Sequence, residues 1–225
     1  MKIPLSSRLL ACCSFVKPGD RVADIGCDHG YLGIYLLNKG IASYVIASDV
    51  KEGPLQSAVR NSEKFGVRDK IAFYLSDGVR NIPREFDTLV CAGMGGDTMV
   101  SILSAATWLQ KAQYRLILQC QSKTPLLRKY LSDNGWSIAT EKVLKDGKFL
   151  YTIMEVLWQP NVPRLTPAEC YIPPALLADS STEVSAYCKW VIEGLRIATV
   201  HTDDVEKKQI LEELEIATAG KQAPQ

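Results

Sequence analysis

The stretch that most constrains this chain is Arg21-Val22-Ala23-Asp24-Ile25-Gly26-Cys27-Asp28-His29-Gly30-Tyr31-Leu32. A short β-prone run ends at an acidic residue, crosses two glycines and opens into apolar residues at helical spacing. Such a strand–loop–helix start brings backbone close to a bound nucleotide-like ligand, because glycine has no Cβ to block the approach. The rest of the chain reads as support for whatever sits against that loop.

Strand-like runs recur at Arg21–Ile25, Tyr44–Asp49, Ile71–Leu75, Thr88–Ala92 and Arg115–Gln119. Helix-like stretches fall between or after them at Tyr31–Lys39, Gly53–Phe65, Asp97–Leu109 and Thr124–Asn134. A further helix is expected over residues 5–16, capped by Ser6 or Ser7 and broken by Lys17-Pro18-Gly19-Asp20. Alternation of this kind implies right-handed crossovers and a parallel sheet covered on both faces. Trp136–Val143 and Tyr151–Leu157 then read as two strands around an Asp146-Gly147 turn, so the α/β sheet is expected to close with an antiparallel edge pair. The layout resembles a class I methyltransferase, Rossmann-like sheet, whereas a dehydrogenase would continue into another strand–helix half.

Residues 159–174 contain five prolines, a composition expected to stop regular structure, and mark a boundary between a cofactor-binding domain, 1–159, and a tail, 160–225. In the tail, Ser181–Val200 and Val205–Ala217 are expected to form a coiled-coil-like α-helical hairpin. Ser181–Glu183 and Thr202-Asp203-Asp204 supply the capping signals. One apolar stripe would run through Tyr187, Trp190, Val191, Leu195 and Ala198, the other through Ile210, Leu211, Leu214 and Ile216. The end, residues 220–225, is expected to fray.

The chain is long enough for an ample core without staples. No apolar run reaches membrane-span length, and the start lacks the apolar core of a secretory signal, so a cytoplasmic protein with no membrane association is expected. The seven cysteines are odd in number and form no Cys-x-x-Cys pair, which argues against a disulfide framework or a metal site. Charge divides unevenly: residues 1–159 hold 20 Lys and Arg against 15 Asp and Glu, and residues 160–225 hold 6 against 10. A mildly basic first segment is compatible with RNA without requiring it.

The first loop departs from the dinucleotide pattern, with Asp28 where the middle glycine would stand. A carboxylate sits badly beside a pyrophosphate and suits a cofactor with a cationic amino acid end, such as S-adenosylmethionine. A structural glycine turn and a dinucleotide site remain the alternatives. Asp49, ending the second strand, can accept hydrogen bonds from both ribose hydroxyls or cap the next helix. Ser76-Asp77-Gly78 after the third strand can bind the adenine amine or form an ordinary turn. Three glycines within Gly93-Met94-Gly95-Gly96 imply that something approaches the backbone there. Asp97 either acts on substrate or caps the helix beginning at Thr98. His29 contacts substrate, shuttles a proton or holds the loop.

Leu5-Ser6-Ser7-Arg8-Leu9, Ala23 to Leu32, Asp49-Val50-Lys51-Glu52-Gly53-Pro54, Ser76-Asp77-Gly78 and Ala92-Gly93-Met94-Gly95-Gly96 occur in the order found in one family. The chain resembles the bacterial tRNA (adenine-N1)-methyltransferases that modify adenine 22, over about residues 5–158 and loosely through the helical tail. The resemblance implies S-adenosylmethionine held by Asp24, Gly26, Asp28, His29, Gly30, Tyr31, Asp49, Val50, Ser76, Asp77, Gly78, Ala92 and Gly93. It places Asp97, His29, Gly93 and Met94 at the reaction, with tRNA as partner and no metal. Substrate contacts are expected from Arg8, Lys123, Arg128 and Lys129, as phosphate-binding cations, and from Gln119 and Gln121. The family's Gln-Pro-Asn after the fifth strand is replaced here by Gln119-Cys120-Gln121, where Gln121 supplies the amide with a longer reach. A monomer or weak dimer is expected. The scaffold alone also admits a methyltransferase of another RNA, a protein or a small molecule, and a non-catalytic cofactor-binding protein.

Overall fold

The computed structural model describes residues 2–200 and 203–219. Its frame is a seven-stranded sheet built from β1 (Arg21–Ile25), β2 (Tyr44–Asp49), β3 (Ile71–Leu75), β4 (Thr88–Gly95), β5 (Arg115–Ser122), β6 (Trp136–Asp146) and β7 (Phe149–Trp158). The spatial order is β3-β2-β1-β4-β5-β7-β6, parallel except where β7 runs against both β5 and β6. The central strand β1 is buried on both faces after Arg21, which is why Val22-Ala23-Asp24-Ile25 shows no polar alternation.

Helices α1 (Ser7–Cys13), α2 (Tyr31–Asn38), α3 (Glu52–Lys64), α4 (Gly96–Ser104) and α5 (Thr124–Asp133) cover the sheet. They divide its core into two clusters, one holding Ile25, Leu89, Leu116 and Met99, the other Val22, Ile34, Val45 and Ile117. Ser6 caps α1 by accepting the Leu9 N–H at 3.4 Å. Gly147, at φ +62°, starts the turn between Asp146 and Phe149, the place where a tight hairpin favours glycine.

The sheet is longer on its upper edge than the sequence predicts. β4 continues to Gly95 and β5 to Ser122, paired through Met94–Cys120 and Gly95–Ser122 with a register shift before each pair. The glycine-rich stretch is therefore an irregular strand end, not a free loop, because glycine tolerates the kinks that extra residues impose. The expected helix Asp97–Leu109 ends at Ser104, and a separate 3₁₀ turn covers Thr107–Leu109.

The proline-rich segment also departs from expectation by forming two short helices, α6 (Pro167–Tyr171) and α7 (Pro174–Ala178). Proline sits at the first helical position of each, where its missing N–H would have no partner anyway. Thr166 and Glu169 complete a reciprocal cap, with N–H to oxygen distances of 3.2 and 2.8 Å. Helices α8 (Thr182–Thr199) and α9 (Val205–Ala219) follow. Ser181 caps α8 through the Val184 N–H, and Asp204 accepts the Lys207 N–H at 3.0 Å. Thr202 and the expected frayed end, 220–225, lie outside the described residues.

The stripe that α8 buries is Val184, Tyr187, Cys188, Ile192 and Leu195. Trp190 and Ala198, expected on it, lie exposed, as does Ile216 on α9. These helices pack with Val143 and Leu150 of the β6–β7 hairpin in a third apolar cluster. All seven cysteines are buried thiols, and among the described residues no helix is long and apolar enough to cross a membrane.

Candidate active site

Strand order reverses between β1 and β4, and a crevice opens at such a switch outside the carboxyl ends of the strands. There a cavity of about 420 Å³ is lined from β1, β2, β3 and β4 ends together with α1, α2 and α4. It brings together Asp24, Gly26, Asp28, His29, Tyr31, Asp49, Val50, Ser76, Asp77, Gly78, Ala92, Gly93, Met94 and Arg8, which the sequence reading had assigned from five separate stretches. Gly30, also expected at the cofactor, does not line the cavity; at φ +71° it is the entry residue of α2.

Asp24 is the electrostatic centre of this cavity. Its side chain is buried, and Oδ2 has no hydrogen-bond partner among the described residues. Burial pushes its pKa up to about 7; a hydrogen bond from the Gly33 backbone N–H opposes the rise, and the nearby Asp49 charge adds to it. A buried, unpartnered carboxyl oxygen is costly unless a donor or cation meets it. Asp49 fixes the entrance: Oδ2 accepts the Asp28 N–H at 3.1 Å and Oδ1 accepts the Lys51 N–H at 2.9 Å. Each oxygen keeps a lone pair for a ligand hydroxyl. Asp28, a non-glycine residue, adopts φ +49°, and its carboxylate is exposed 3.7 Å from the His29 ring. The His29 carbonyl accepts a hydrogen bond from Asn61 Nδ2 at 2.9 Å, so the loop is tied to α3 through backbone and the imidazole is left at the mouth.

At the far end, Val50 and Ile102 give the cavity apolar surface, Val50 being 63% exposed. Ser76 organises the adjoining turn, donating to the Gly78 carbonyl and accepting the Asn81 N–H, both at 3.0 Å. Asp77 stands at the rim within 3.3 Å of Arg80. An ammonium at Asp24, a diol at Asp49 and a flat ring between Val50 and Ile102 fit S-adenosylmethionine, the cofactor expected from the sequence.

The glycines at 93–96 make room for the protein's own chain. Gly93 has φ +82°, and a Cβ there would stand 3.0 Å from Arg8 Nη1 and 3.7 Å from Gln121 Nε2. A Cβ on Gly96 would strike the Lys123 carbonyl, part of the backbone. Lys123 itself has φ +56°, the left-handed region that a non-glycine residue rarely adopts. Met94 folds back so that its methyl covers Gly26, and its sulfur accepts a long bond from the Cys91 thiol at 3.4 Å.

Four assignments change with the structure. Gln119 is fully buried and touches no substrate surface; its Oε1 accepts both Arg8 Nη1–H (2.9 Å) and the Gly93 N–H (3.1 Å). Arg128 is fully buried too, bonded to the carbonyls of Cys170 and Tyr171, to Glu141 and to the Tyr187 hydroxyl, so it holds no phosphate. Lys129 faces a groove beside α6 and α9, pairs with Asp133 at 3.0 Å and lies off the cavity. Asp97 neither caps α4, whose N-cap is Gly95, nor lines the cavity. It pairs with Lys123 at 2.5 Å on the outer rim, and that bond holds its carboxyl below the usual range.

Sequence reasoning also missed wall residues. Thr98 and Ile102 lie four apart on the first turns of α4, directly after the glycines, and that spacing was the available signal. Leu9 and Leu32 follow Arg8 and Tyr31 and gave no separate sign.

A methyltransferase-domain family matches residues 5–154. The tRNA (adenine(22)-N(1))-methyltransferase of Bacillus subtilis is 32% identical over 154 residues, 68% of this chain and 65% of that protein. Sp1610 of Streptococcus pneumoniae, a candidate tRNA (m1A22) methyltransferase solved with S-adenosyl-L-methionine, superposes with a TM-score of 0.83 at 32% identity, over 93% of this chain and 99% of the other. The structure of the B. subtilis m1A22 enzyme gives a TM-score of 0.82 at 26% identity, with 97% of each chain covered. In sequence, the chain spans 61% to 65% of the length of the curated tRNA methyltransferases it matches.

Proposed function

The chain belongs to the methyltransferase-domain family, and on that premise we propose that it transfers the methyl group of S-adenosylmethionine to N1 of adenine 22 in tRNA. The observation that carries this reading is one cavity in which the unpartnered Asp24 oxygen and the Gly93–Met94 edge face the same space. Superposition on m1A22-type structures also extends through the C-terminal helices, beyond the part common to a bare cofactor domain.

Asp24 would hold the cofactor's ammonium, Asp49 its ribose hydroxyls, and Val50, Ile102 and the Asp77 rim its adenine. The first turn of α2 opens with the N–H groups of Tyr31 and Leu32, which Gly30 has no side chain to cap, and suits the carboxylate. When bound, the cofactor supplies an electrophilic methyl on a positively charged sulfur. Adenine N1 attacks with its own lone pair, so the chain need remove no proton beforehand. What it contributes is alignment in a space shielded from water. N1 is normally engaged in base pairing, so the base must be presented unpaired, over the edge formed by Arg8, Gly93 and Met94. The product base is cationic, and the exposed Asp28 carboxylate at the mouth favours that charge. A tRNA substrate places the enzyme in the cytoplasm.

Incubation with unmodified tRNA and the cofactor, followed by reverse transcription, should give one new stop, at adenine 22. Stops at another position, or label appearing on protein and not on RNA, would overturn the substrate. Absence of cofactor binding at millimolar concentration in calorimetry would overturn the methyltransferase reading altogether.

A further inference from the structure

A second cleft, of about 340 Å³, lies between the β5–α5 connection, the β7 start and α8. Gln121, Lys123, Tyr151, Tyr187, Trp190 and Lys207 line it. Three residues link it to the cofactor cavity. Gln121 lines the cleft, yet its amide nitrogen stands 3.7 Å from the Cβ position of Gly93 on the cavity wall. Lys123 lines the cleft, yet pairs with Asp97, the neighbour of wall residue Thr98. Arg8 bridges the two, lining the cavity and standing 5.9 Å over the Tyr151 ring.

We propose that this cleft binds the nucleotide adjacent to the methylated adenine, with its base stacked on Trp190 and its phosphate on Lys123. The inference rests on the RNA reading above and deepens it. Withdrawing an adenine from its stack deprives its neighbours of a partner, and proteins that hold splayed strands replace that partner with aromatic side chains. Trp190 is 63% exposed, an uncommon amount of apolar area to leave in water. It is also rigidly backed: its ring lies 5.9 Å from that of buried Tyr187, whose hydroxyl accepts from Arg128 at 3.3 Å. At about 340 Å³ the cleft has the volume of a small-ligand site. Of the cations on its wall, Lys123 is held by an exposed pair with Asp97 and Lys207 by a half-buried one with Asp204, and an exposed pair is weak enough to exchange for a phosphate.

The test uses the full chain, an unmodified tRNA transcript, and transcripts with an abasic site on either side of adenine 22. Trp190→Ala should raise the KM for tRNA roughly 5- to 150-fold, the worth of one base–aromatic stack. Trp190→Phe should stay within about threefold of wild type. Cofactor affinity should be unchanged in both, which also reports that the variants fold. One of the two abasic transcripts should reproduce the Trp190→Ala loss with wild-type enzyme and cost that variant nothing more. An active wild type with unchanged KM in Trp190→Ala, or losses that add for both abasic sites, overturns the cleft assignment alone. A wild type that methylates no transcript overturns the tRNA reading and the cleft with it.

Discussion

Asp24 shows how one residue couples stability to ligand binding. Its pKa in the folded protein, about 7, stands above the ordinary carboxylate value of 3.8, so folding favours the protonated form. Stability from this residue is therefore full at about pH 4 and is lost as pH rises toward 7. A bound ammonium needs the opposite, ionised state. Cofactor affinity should consequently fall about tenfold per unit below pH 7, with proton release on binding at pH 6, measurable by calorimetry in buffers of different ionisation enthalpy. Asp24→Asn should abolish both effects and weaken binding by roughly 10- to 100-fold, the worth of a hydrogen bond to a charged group. It should also raise the melting temperature of the ligand-free protein at pH 8. A pH-independent affinity in wild type would show that Asp24 does not meet the cofactor's charge. The place of Asp24 on the cavity wall was legible in the sequence because it stands next to the end of a buried strand, just before a glycine turn. The destination of Arg128 was not, since nothing in Leu127-Arg128-Lys129 tells a buried guanidinium from an exposed one.

At the scale of elements, α1, β4 and β5 meet in a bracket centred on Gln119. Its Oε1 holds the Gly93 N–H and Arg8, while its Nε2 donates to the Cys120 carbonyl at 3.1 Å. Arg8 Nε lies 3.7 Å from Asp146, which ties the bracket to the hairpin turn. Gln119 thus positions the Gly93 edge of the cavity from behind, with no exposed surface of its own. Gln119→Leu would orphan the Gly93 N–H and one Arg8 donor, at about 1–3 kcal/mol. We expect kcat to drop about tenfold with the cofactor's dissociation constant within threefold of wild type. Gln119→Glu, which keeps the acceptor for Gly93 and Arg8 but sets an oxygen against the Cys120 carbonyl, should restore only part of kcat. Equal kinetics in Gln119→Leu would reduce the bracket to packing. The strands and α2, α3 and α5 were readable within a residue or two at most ends, because each is an apolar run between turn signals. The upward extension of β4 and β5, and the helices α6 and α7, were not. The first depends on pairing between distant segments, and the second on proline acting as a helix starter where its frequency suggested a breaker.

Across the whole molecule, the C-terminal helices are fastened to the sheet through Arg128 of α5. Its two terminal nitrogens reach the Cys170 and Tyr171 carbonyls at 2.9 and 2.7 Å, Glu141 at 2.6 Å and the Tyr187 hydroxyl at 3.3 Å. One side chain thereby joins α5, β6, α6 and α8, and it sets the wall of the cleft behind Trp190. The pair with Glu141 is buried on both sides, yet Arg128 Nε and Glu141 Oε2 find no partner among the described residues. An incompletely satisfied buried pair contributes little net stability, but removing one member strands the other charge. Arg128→Met should therefore destabilise the protein by about 3–5 kcal/mol, lowering the melting temperature by roughly 6–20 °C for a chain of this size. Arg128→Met combined with Glu141→Leu should recover most of that loss, because the stranded carboxylate is gone. The recovered double variant should still bind the cofactor normally, since the cavity draws no wall from this junction. Its KM for tRNA should nevertheless remain raised, because the α6 carbonyls and the Tyr187 hydroxyl no longer meet a guanidinium that joins α6 and α8 to α5 behind Trp190. A double variant as unstable as Arg128→Met would show instead that the helical carbonyls, and not the buried charge pair, dominate the junction.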